Sequence, residues 1–419
     1  MALPAIPDEL LVDIFLRLPT PEDLIRASAA CVSFRRLVAD RSFLRRFRKL
    51  HPPPLLDFLD PNRHCFHPAV PPHPSAPAAS AVASAADFSF DFLPGSSRDW
   101  SVLDVRDGRV LLSRPRRGGK GLNEMVVCDP LHRQYLLLPE LPDDLVASWI
   151  DTLVTEGPRF SGSYRETFLV PPCDDEEAAA TEETSFRVIW MTLLQTKPMA
   201  AVFSSGTGQW RAIPPLTRSE SLPGFVLSTW MVSFVLRHYA NGRFYWISGS
   251  TEKLLVLDIR RMEFSMTDHP PCVRGVSDDV AIAEAGQGMT VMFVPKPNTP
   301  RFTYSVWRNN GGSSTQWQME EKTISLDYGS LLMGAVGRHL LLYRGSFFKP
   351  GYFTQDVNTF ELECVMHYRD KHTDIATSHR RYYRHLQCQV VNFVAYQLPL
   401  SLHDYHYHTT CFMLASSLL

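Results

Sequence analysis

The first clear pattern of hydrophobic and polar positions is the segment PDELLVDIFLRLP, residues 7–19. Its apolar residues recur at the spacing of a helix. Those that share one side of this helix are Leu10, Leu11, Ile14, Phe15 and Leu18. Pro7 and the acidic residues after it suit the first turn of a helix, and Pro19 ends it. The pattern therefore predicts a short helix with a wide apolar face.

Helical spacing continues as far as residue 50. The apolar and small residues Leu24, Ala27, Cys31 and Phe34 follow at helical intervals, and a third helix is predicted to carry Leu37, Val38, Phe43, Leu44 and Phe47. We expect a three-helix unit over residues 5–50. A unit of about 40 residues buries too little apolar surface to be securely stable alone. It therefore docks either on the rest of the chain or on another protein.

Residues 51–86 are rich in proline and alanine and have little hydrophobic period. We expect a linker in which LLDFL and HCFHPAV can each add an edge strand and in which residues 71–86 are disordered. A helical unit meant to pack on its own neighbour rarely needs such a spacer. The linker therefore favours another protein as the partner of the helical unit.

From about residue 87 onward the pattern predicts short strands separated by turns. Tight turns such as Asp107-Gly108 and Asn241-Gly242 precede a strand, a second turn and an aromatic residue, and proline pairs often follow. The aromatic residues are Tyr135, Trp210, Phe264, Trp317 and Phe360. A repeat of about 50 residues with four strands per unit is typical of kelch-like propeller blades. It favours a propeller of six to seven four-stranded blades over residues 87–419, ahead of a β-sandwich.

The longest interval between two aromatic landmarks contains the acidic, alanine-rich segment DDEEAAATEET, residues 174–184. Such a composition has too few apolar residues to pack against a core. We expect a solvated loop inserted in one blade.

Composition narrows the class of protein without naming a function. The net charge is −2, which gives no general attraction to nucleic acid or to anionic membranes. The eight cysteines are scattered singly, which favours reduced thiols over a disulfide framework. The front of the chain lacks the pattern of a signal peptide, and no apolar run is long enough to span a bilayer. We expect a soluble protein of the cytoplasm, the nucleus or both.

The front of the chain resembles an F-box, the helical adaptor-binding module of SCF-type (Skp–cullin–F-box) ubiquitin ligases. The matching residues are Pro7-Asp8-Glu9-Leu10-Leu11, Ile14-Phe15, Leu18-Pro19, Asp23-Leu24, Ala27, Cys31 and Phe34-Arg35. Many F-boxes have tryptophan at the position of Phe34 and valine at that of Ala30, and both replacements here stay apolar. The β-part resembles the F-box-associated propellers of a large plant family. The resemblance implies a multidomain α + β chain, a three-helix F-box followed by an all-β propeller.

The resemblance also implies which side chains meet a Skp-type adaptor. They are Pro7, Leu10, Leu11, Ile14, Leu18, Pro19 and Leu24, with Phe34 and Leu37 supporting the interface. The alternative is that these side chains form only the internal core of the helices, and some of them must do so. The sequence leaves open which of Leu10 and Leu11 faces the partner.

Candidate chemistry is sparse. The chain has no G-x-S-x-G, H-E-x-x-H or G-x-x-x-x-G-K-[ST] motif, and SSGTGQW (204–210) reads as a hairpin turn. His403, His406 and His408, like Cys65 with its neighbouring histidines, lack the second ligand pair of a metal site. The basic run over 35–49 and the segment SHRRYYRHL (378–386) suit solvated or edge surfaces better than nucleic-acid contacts. We expect no catalytic site, no metal and no cofactor.

These observations favour a non-catalytic substrate receptor of an SCF-type ubiquitin ligase. The F-box would bind a Skp-type adaptor and, through it, cullin and RING subunits, while the propeller would bind an unknown target protein. No membrane partner is expected. The second hypothesis is a kelch-type scaffold or carbohydrate-binding module whose helices only cap the propeller, and a propeller hydrolase is the third.

Overall fold

The computed structural model describes most of the chain, in segments. They are residues 6–19, 21–51, 57–60, 64–116, 123–147, 149, 164–171, 185–193, 198–216, 236–247, 253–270, 280–296, 303–309, 316–326, 330–344, 351–367 and 389–391. Two compact units divide at residue 55: a helical unit before it, and a β-rich unit that spans residues 56–391.

The helical unit contains four described helices where the sequence predicted three. They are α1 (Asp8–Leu16), α2 (Pro21–Ala30), α3 (Val32–Val38) and α4 (Arg41–Leu50). The extra boundaries have local causes. The sulfur of Cys31 accepts the backbone N–H of Phe34 at the start of α3, and the carboxylate of Asp40 accepts that of Phe43 at the start of α4. These side chains satisfy N–H groups that a helix start leaves unpaired.

The segment predicted to be a linker contains regular structure instead. Strands β1 (Asp57–Asp60) and β2 (Cys65–Pro68) form there, as LLDFL and HCFHPAV suggested, and residues expected to be disordered form α5 (Ala76–Ala85). Helix α5 buries Ala76, Ala79 and Val82. Small side chains let a helix approach its neighbour closely, and an alanine-rich segment has high helix propensity. The β-unit therefore starts near residue 56 rather than at 87.

Five four-stranded antiparallel sheets follow in chain order, each built from four consecutive strands. The first comprises β3 (Ser101–Arg106), β4 (Arg109–Arg114), β5 (Glu124–Asp129) and β6 (Gln134–Leu137). The second comprises β7 (Tyr164–Val170), β8 (Arg187–Leu193), β9 (Pro198–Ser204) and β10 (Gln209–Ile213). The third comprises β11 (Leu236–Ala240), β12 (Arg243–Ile247), β13 (Lys253–Asp258) and β14 (Glu263–Asp268). The fourth comprises β15 (Ala281–Glu284), β16 (Thr290–Pro295), β17 (Thr303–Asn309) and β18 (Gln318–Ser325). The fifth comprises β19 (Ser330–Val336), β20 (His339–Arg344), β21 (Gly351–Asp356) and β22 (Leu362–His367).

A sixth, three-stranded sheet joins distant parts of the β-unit. Strand β1 pairs with β2 on one side and with β23 (Gln389–Val391) on the other, with Phe58 opposite Val390. Strand β23 contacts β3 of the first blade, and β2 contacts β22 of the fifth. The described residues thus form a propeller of five four-stranded blades and one three-stranded antiparallel sheet. The predicted six to seven four-stranded blades are more than these residues contain.

Each blade begins with its innermost strand, and the connections alternate between two edges. In an antiparallel sheet of order 1-2-3-4, the 1–2 and 3–4 turns lie at the same edge. We call this edge the tight-turn face. Its 1–2 turns include Asp107-Gly108, with φ of 50° and 77°, and Asn241-Gly242, with φ of 48° and 76°. Glycine, asparagine and aspartate tolerate these positive φ values, which matches the tight turns predicted from the sequence.

The 3–4 turns repeat one conformation in four blades. A residue with positive φ lies four positions after the end of the third strand: Arg133, Gly208, Met262 and Phe360. The aromatic landmarks Tyr135, Trp210 and Phe264 lie two positions further, on the fourth strand. Phe360 was predicted as the fifth landmark, but it occupies the turn itself, and Leu362 takes the equivalent strand position. The register assigned to that blade was therefore wrong by two residues.

Candidate functional site

Helix α1 begins where proline and acidic residues favour a helix start. The carbonyl of Pro7 accepts the backbone N–H groups of Leu10 and Leu11, at 3.1 and 3.2 Å, and Asp8 and Glu9 lie in the first turn. Carboxylates there interact favourably with the positive end of the helix dipole. This geometry fixes the direction in which the apolar residues of α1 point.

One part of α1 closes the core of the helical unit. Leu11, Phe15 and Leu16 are buried, and they pack with side chains from the other three helices. These partners are Leu24, Val38, Phe43, Leu44 and Phe47. The ring of Phe34 meets that of Phe15 edge to face, with 5.1 Å between the centroids. The core is therefore closed without Leu10 and Ile14, while Val12 packs partly against it.

The opposite part of α1 carries an apolar stripe in solvent. Leu10 and Ile14 are 55% and 51% exposed and lie about one turn apart on α1, and Ile6, two residues before the helix, is 54% exposed. Leu18 continues that spacing and is half-buried. Five of the eleven large apolar side chains exposed among the described residues fall within the first fifty positions. We call Ile6, Leu10 and Ile14 the α1 stripe.

The structure thus sorts the nine predicted interface residues by exposure. Pro7, Leu10, Ile14 and Pro19 are exposed, Leu18, Phe34 and Leu37 are half-buried, and Leu11 and Leu24 belong to the core. Leu10, rather than Leu11, is the leucine that a partner can reach. The exposed Ile6 was not among the predicted residues; it lies before α1, so helical spacing did not mark it.

The basic run lies on α3 and α4. Arg35 and Arg36 are exposed, and Arg46 forms an ion pair with Asp13 of α1 at 3.7 Å, with both side chains more than half exposed. Exposed pairs of this kind contribute little to stability. The described basic side chains of the run, Arg35, Arg36 and Arg46, thus lie in solvent, as the sequence favoured.

The most buried charged cluster of the β-unit links three inner strands. The Arg237 guanidinium on β11 lies 3.2 Å from Asp104 on β3 and 3.3 Å from Glu166 on β7, and its carbon lies 4.1 Å from the centre of the Phe168 ring. The backbone N–H of Leu169 also donates to Asp104. Buried charges require such partners. The cluster joins blades one, two and three, and we assign it a structural role.

His238 follows Arg237 on the same inner strand and is buried as well. Burial and the neighbouring Arg237 charge lower the pKa of His238 to about 4. Its Nε2 atom has no hydrogen-bond partner among the described residues. The imidazole is therefore neutral at physiological pH.

Other candidates from the sequence do not form sites in the described part of the chain. SSGTGQW forms the hairpin between β9 and β10, which confirms that interpretation. His403, His406, His408 and residues 378–386 lie outside the described residues. No group of three metal-binding side chains comes together in the segments described. None of the described helices is long and apolar enough to cross a membrane.

Comparisons with known proteins address both units. An F-box-like family model matches residues 3–49, and the model "F-box protein AT5G49610-like, beta-propeller" matches residues 101–329. The second match covers more than half of the chain and spans β3 to β18. No curated protein matches the chain.

Solved structures with a similar fold share little sequence. The propeller domain of the Trilobed protease from Pyrococcus furiosus has a TM-score of 0.35 and 10% identity, covering 64% of this chain and 71% of that one. A nidogen/laminin complex has a TM-score of 0.31 and 6% sequence identity, covering 72% of this chain and 86% of that one. A putative 6-phosphogluconolactonase from Bacteroides uniformis has a TM-score of 0.33 and 11% sequence identity, covering 62% of this chain and 68% of that one. At these scores the likenesses carry no argument about function.

An F-box-like segment thus precedes a propeller of a type found in F-box proteins, in the order that the sequence predicted. The chain belongs to the family of F-box proteins with an AT5G49610-like β-propeller.

Proposed function

We propose that this chain is the substrate-recognition subunit of an SCF-type ubiquitin ligase. Its F-box would bind a Skp-type adaptor, which connects it to cullin and RING subunits, and its propeller would bind the target protein. The family matches support an F-box substrate-receptor architecture. The ligase role, the adaptor and the target are parts of the proposal.

The observation that carries the proposal is the α1 stripe over a closed core. Leu10 and Ile14 are about half exposed, whereas their neighbours Leu11 and Phe15 already complete the core. Burying a whole leucine or isoleucine side chain stabilises by roughly 1.5–3 kcal/mol. Covering the exposed halves of Leu10 and Ile14 would then contribute roughly 1.5–3 kcal/mol in total. An adaptor surface that covers the stripe would gain that energy without rearranging the helices.

Catalysis by this chain is not required in such a complex. A receptor that holds its target near the ubiquitin-charged subunit raises the effective concentration of the reacting groups. We therefore propose a non-catalytic role. The propeller scaffold or carbohydrate module remains the competing hypothesis, and it predicts that the helices bind no adaptor.

The test is a binding measurement with purified Skp-type adaptor and the full chain. The double variant Leu10→Ala with Ile14→Ala should weaken adaptor binding by about one to two orders of magnitude, at 1.4 kcal/mol per tenfold. The matched control is Met319→Ala with Leu362→Ala, which also truncates two exposed apolar side chains, but in the propeller. The control should bind the adaptor as the wild type does.

Two results would contradict the proposal. If the wild-type chain does not bind the adaptor at all, the scaffold hypothesis takes first place. If the stripe variant keeps full affinity while the control is normal, the α1 stripe is not the adaptor surface.

We also propose that the protein acts in the cytoplasm, the nucleus or both. Support comes from the cysteines: Cys31 and Cys128 are free thiols, and burial raises the pKa of the Cys128 thiol well above its usual range. Reduced, unpaired thiols are typical of proteins in reducing compartments. Imaging of a tagged chain in cells would test this location.

A further inference from the structure

The tight-turn face of the β-unit carries a concentration of arginines. They belong to turns and strand ends of the first three blades, and we call them the arginine patch: Arg106, Arg109, Arg187, Arg243, Arg260 and Arg261. Arg260 and Arg261 are exposed, and the other four are partly exposed. No sequence motif marks the patch, because its members are spread over more than 150 residues.

A chain of contacts shows that the patch is continuous. Arg109 lies over the ring of Phe186, at 5.5 Å, and Arg187 is the next residue. The Arg187 guanidinium donates to the carbonyl of Ile259, which precedes Arg260. The Arg260 side chain in turn lies over Gly242, which is next to Arg243. A Cβ built on Gly242 would be 3.9 Å from the Nε atom of Arg260. The patch therefore crosses from blade one to blade three.

Several of these side chains are held in position before any ligand arrives. The Arg106 guanidinium lies 5.0 Å from the centre of the Tyr239 ring and 5.9 Å from that of Phe244. Cation–π contacts of this length hold a guanidinium plane in place. The Nε atom of Arg106 is shielded from solvent and has no hydrogen-bond partner among the described residues. Desolvation also lowers the pKa of Arg109.

The aspartates within the patch are already engaged. Asp258 accepts the backbone N–H groups of Arg260 and Arg261 and pairs with the Arg243 side chain. Asp129 similarly accepts from two backbone N–H groups and from the His132 ring. In the part of the chain that the structure describes, no carboxylate forms an ion pair with Arg260 or Arg261. These two cations remain available to a ligand.

We infer that the arginine patch binds an acidic, extended segment of the target protein. This inference rests on the proposed function, since it names the recognition surface of the propeller. Arginine is suited to carboxylates because its planar group donates two parallel hydrogen bonds to them. Arginine clusters are also a recurring way to recognise acidic peptide motifs.

The observations favour a peptide over a nucleic acid. Nucleic-acid binding depends on neutralising closely spaced phosphates over a long basic surface. Here Asp107, Asp129 and Asp258 lie between the arginines, and the whole chain has a net charge of −2. An acidic peptide can place its carboxylates opposite the cations and leave neutral residues opposite the aspartates.

The experiment uses the full chain and a fluorescent peptide of repeated Ser-Glu-Asp, with a Ser-Gln-Asn peptide as the uncharged control. We expect the acidic peptide to bind and the uncharged one not to bind. Arg260→Gln with Arg261→Gln should weaken binding by about tenfold, since two exposed ion pairs are lost. The matched control Arg98→Gln with Lys253→Gln removes two positive charges elsewhere in the β-unit and should leave the affinity unchanged. Melting temperatures of both variants check that they fold.

Several results would overturn the inference. Equal loss in both double variants, or no binding of the acidic peptide, overturns the inference. Tighter binding of a single-stranded DNA than of the peptide also overturns it, in favour of a nucleic acid. Adaptor binding is measured on the same preparations. A chain that binds adaptor but ignores the acidic peptide refutes only this inference, whereas a chain that fails to bind adaptor refutes the proposed function.

Discussion

Neighbouring residues in this chain have opposite environments, and the difference governs their roles. Leu10 is 55% exposed and Leu11 only 8%, although both are leucines on one turn of α1. Arg237 and His238 on β11 are both buried, yet the arginine is paired with two carboxylates and the histidine is neutral. Residue type alone therefore did not identify their roles.

His238 should make the protein sensitive to acid. Its pKa is about 4 in the folded state and about 6.5 when unfolded, so the unfolded chain binds more protons between these values. Stability is fully present above pH 6.5 and falls as the pH decreases toward 4. At pH 5 the loss from this group is about 2 kcal/mol. Urea unfolding of the wild type and of His238→Gln, at pH 7.5 and pH 5, should show a smaller loss in the variant.

His132 provides a control of opposite sign. A hydrogen bond to Asp129 raises the pKa of His132, so its stabilising contribution is present at low pH and is lost as the pH rises. His132→Gln should therefore not reduce the sensitivity to acid. Equal acid sensitivity in the wild type and in His238→Gln would show that His238 is not the group responsible.

Among the described blades, the connection between strands 1 and 2 differs in one blade, and this difference locates an insertion. Strands 1 and 2 are joined by tight turns in four blades, such as Asp107-Gly108 in the first and Gly337-Arg338 in the fifth. In the second blade, β7 ends at Val170 and β8 begins at Arg187. The acidic residues 174–184 fall in this connection and lie outside the described residues.

Deleting residues 174–184 should leave the melting temperature almost unchanged. The other blades close the same connection with far fewer residues, and each doubling of loop length costs only about 0.6 kcal/mol of closure entropy. Differential scanning calorimetry of the deletion variant and the wild type would measure the effect. A drop of many degrees would contradict the prediction and show that the segment packs on the blade.

The β-unit as a whole depends on a sheet that joins its two ends. Strands β1 and β2 come from residues before the first blade, and β23 comes from residues after the fifth. Leu59 on β1 is almost completely buried. The sheet contacts the first blade through β23 and the fifth blade through β2, so it links the two ends of the β-unit.

A fragment that starts at residue 87, the boundary predicted from the sequence, should therefore fold poorly. It lacks β1, β2 and α5, which leaves β23 without its partner strand. A fragment that starts at residue 56 keeps the whole β-unit and is the matched control. We expect the longer fragment to melt cooperatively, and the shorter one to melt at a temperature lower by many degrees or to aggregate. Equal melting temperatures would show that the segment 56–86 is dispensable.

Local chemistry in the sequence determined the elements of this protein. Helical spacing predicted the helical front, and Asp-Gly and Asn-Gly pairs predicted tight turns, because backbone dihedrals and periodicity depend on adjacent residues. The family resemblance and the propeller class were confirmed. The kelch-like character and the residue-level assignment of the adaptor interface stay predictions.

Only the tertiary structure decided what long-range packing controls. It separated Leu10 from Leu11, because burial depends on which helices cover each side of α1. It joined Phe58 to Val390 and brought Arg109, Arg187 and Arg260 onto one face. It also showed that Phe360 lies in a turn rather than on a strand. The physical reason is the same in each case: periodicity reveals which residues can share a face, but the partner that covers the face comes from segments far away in the chain.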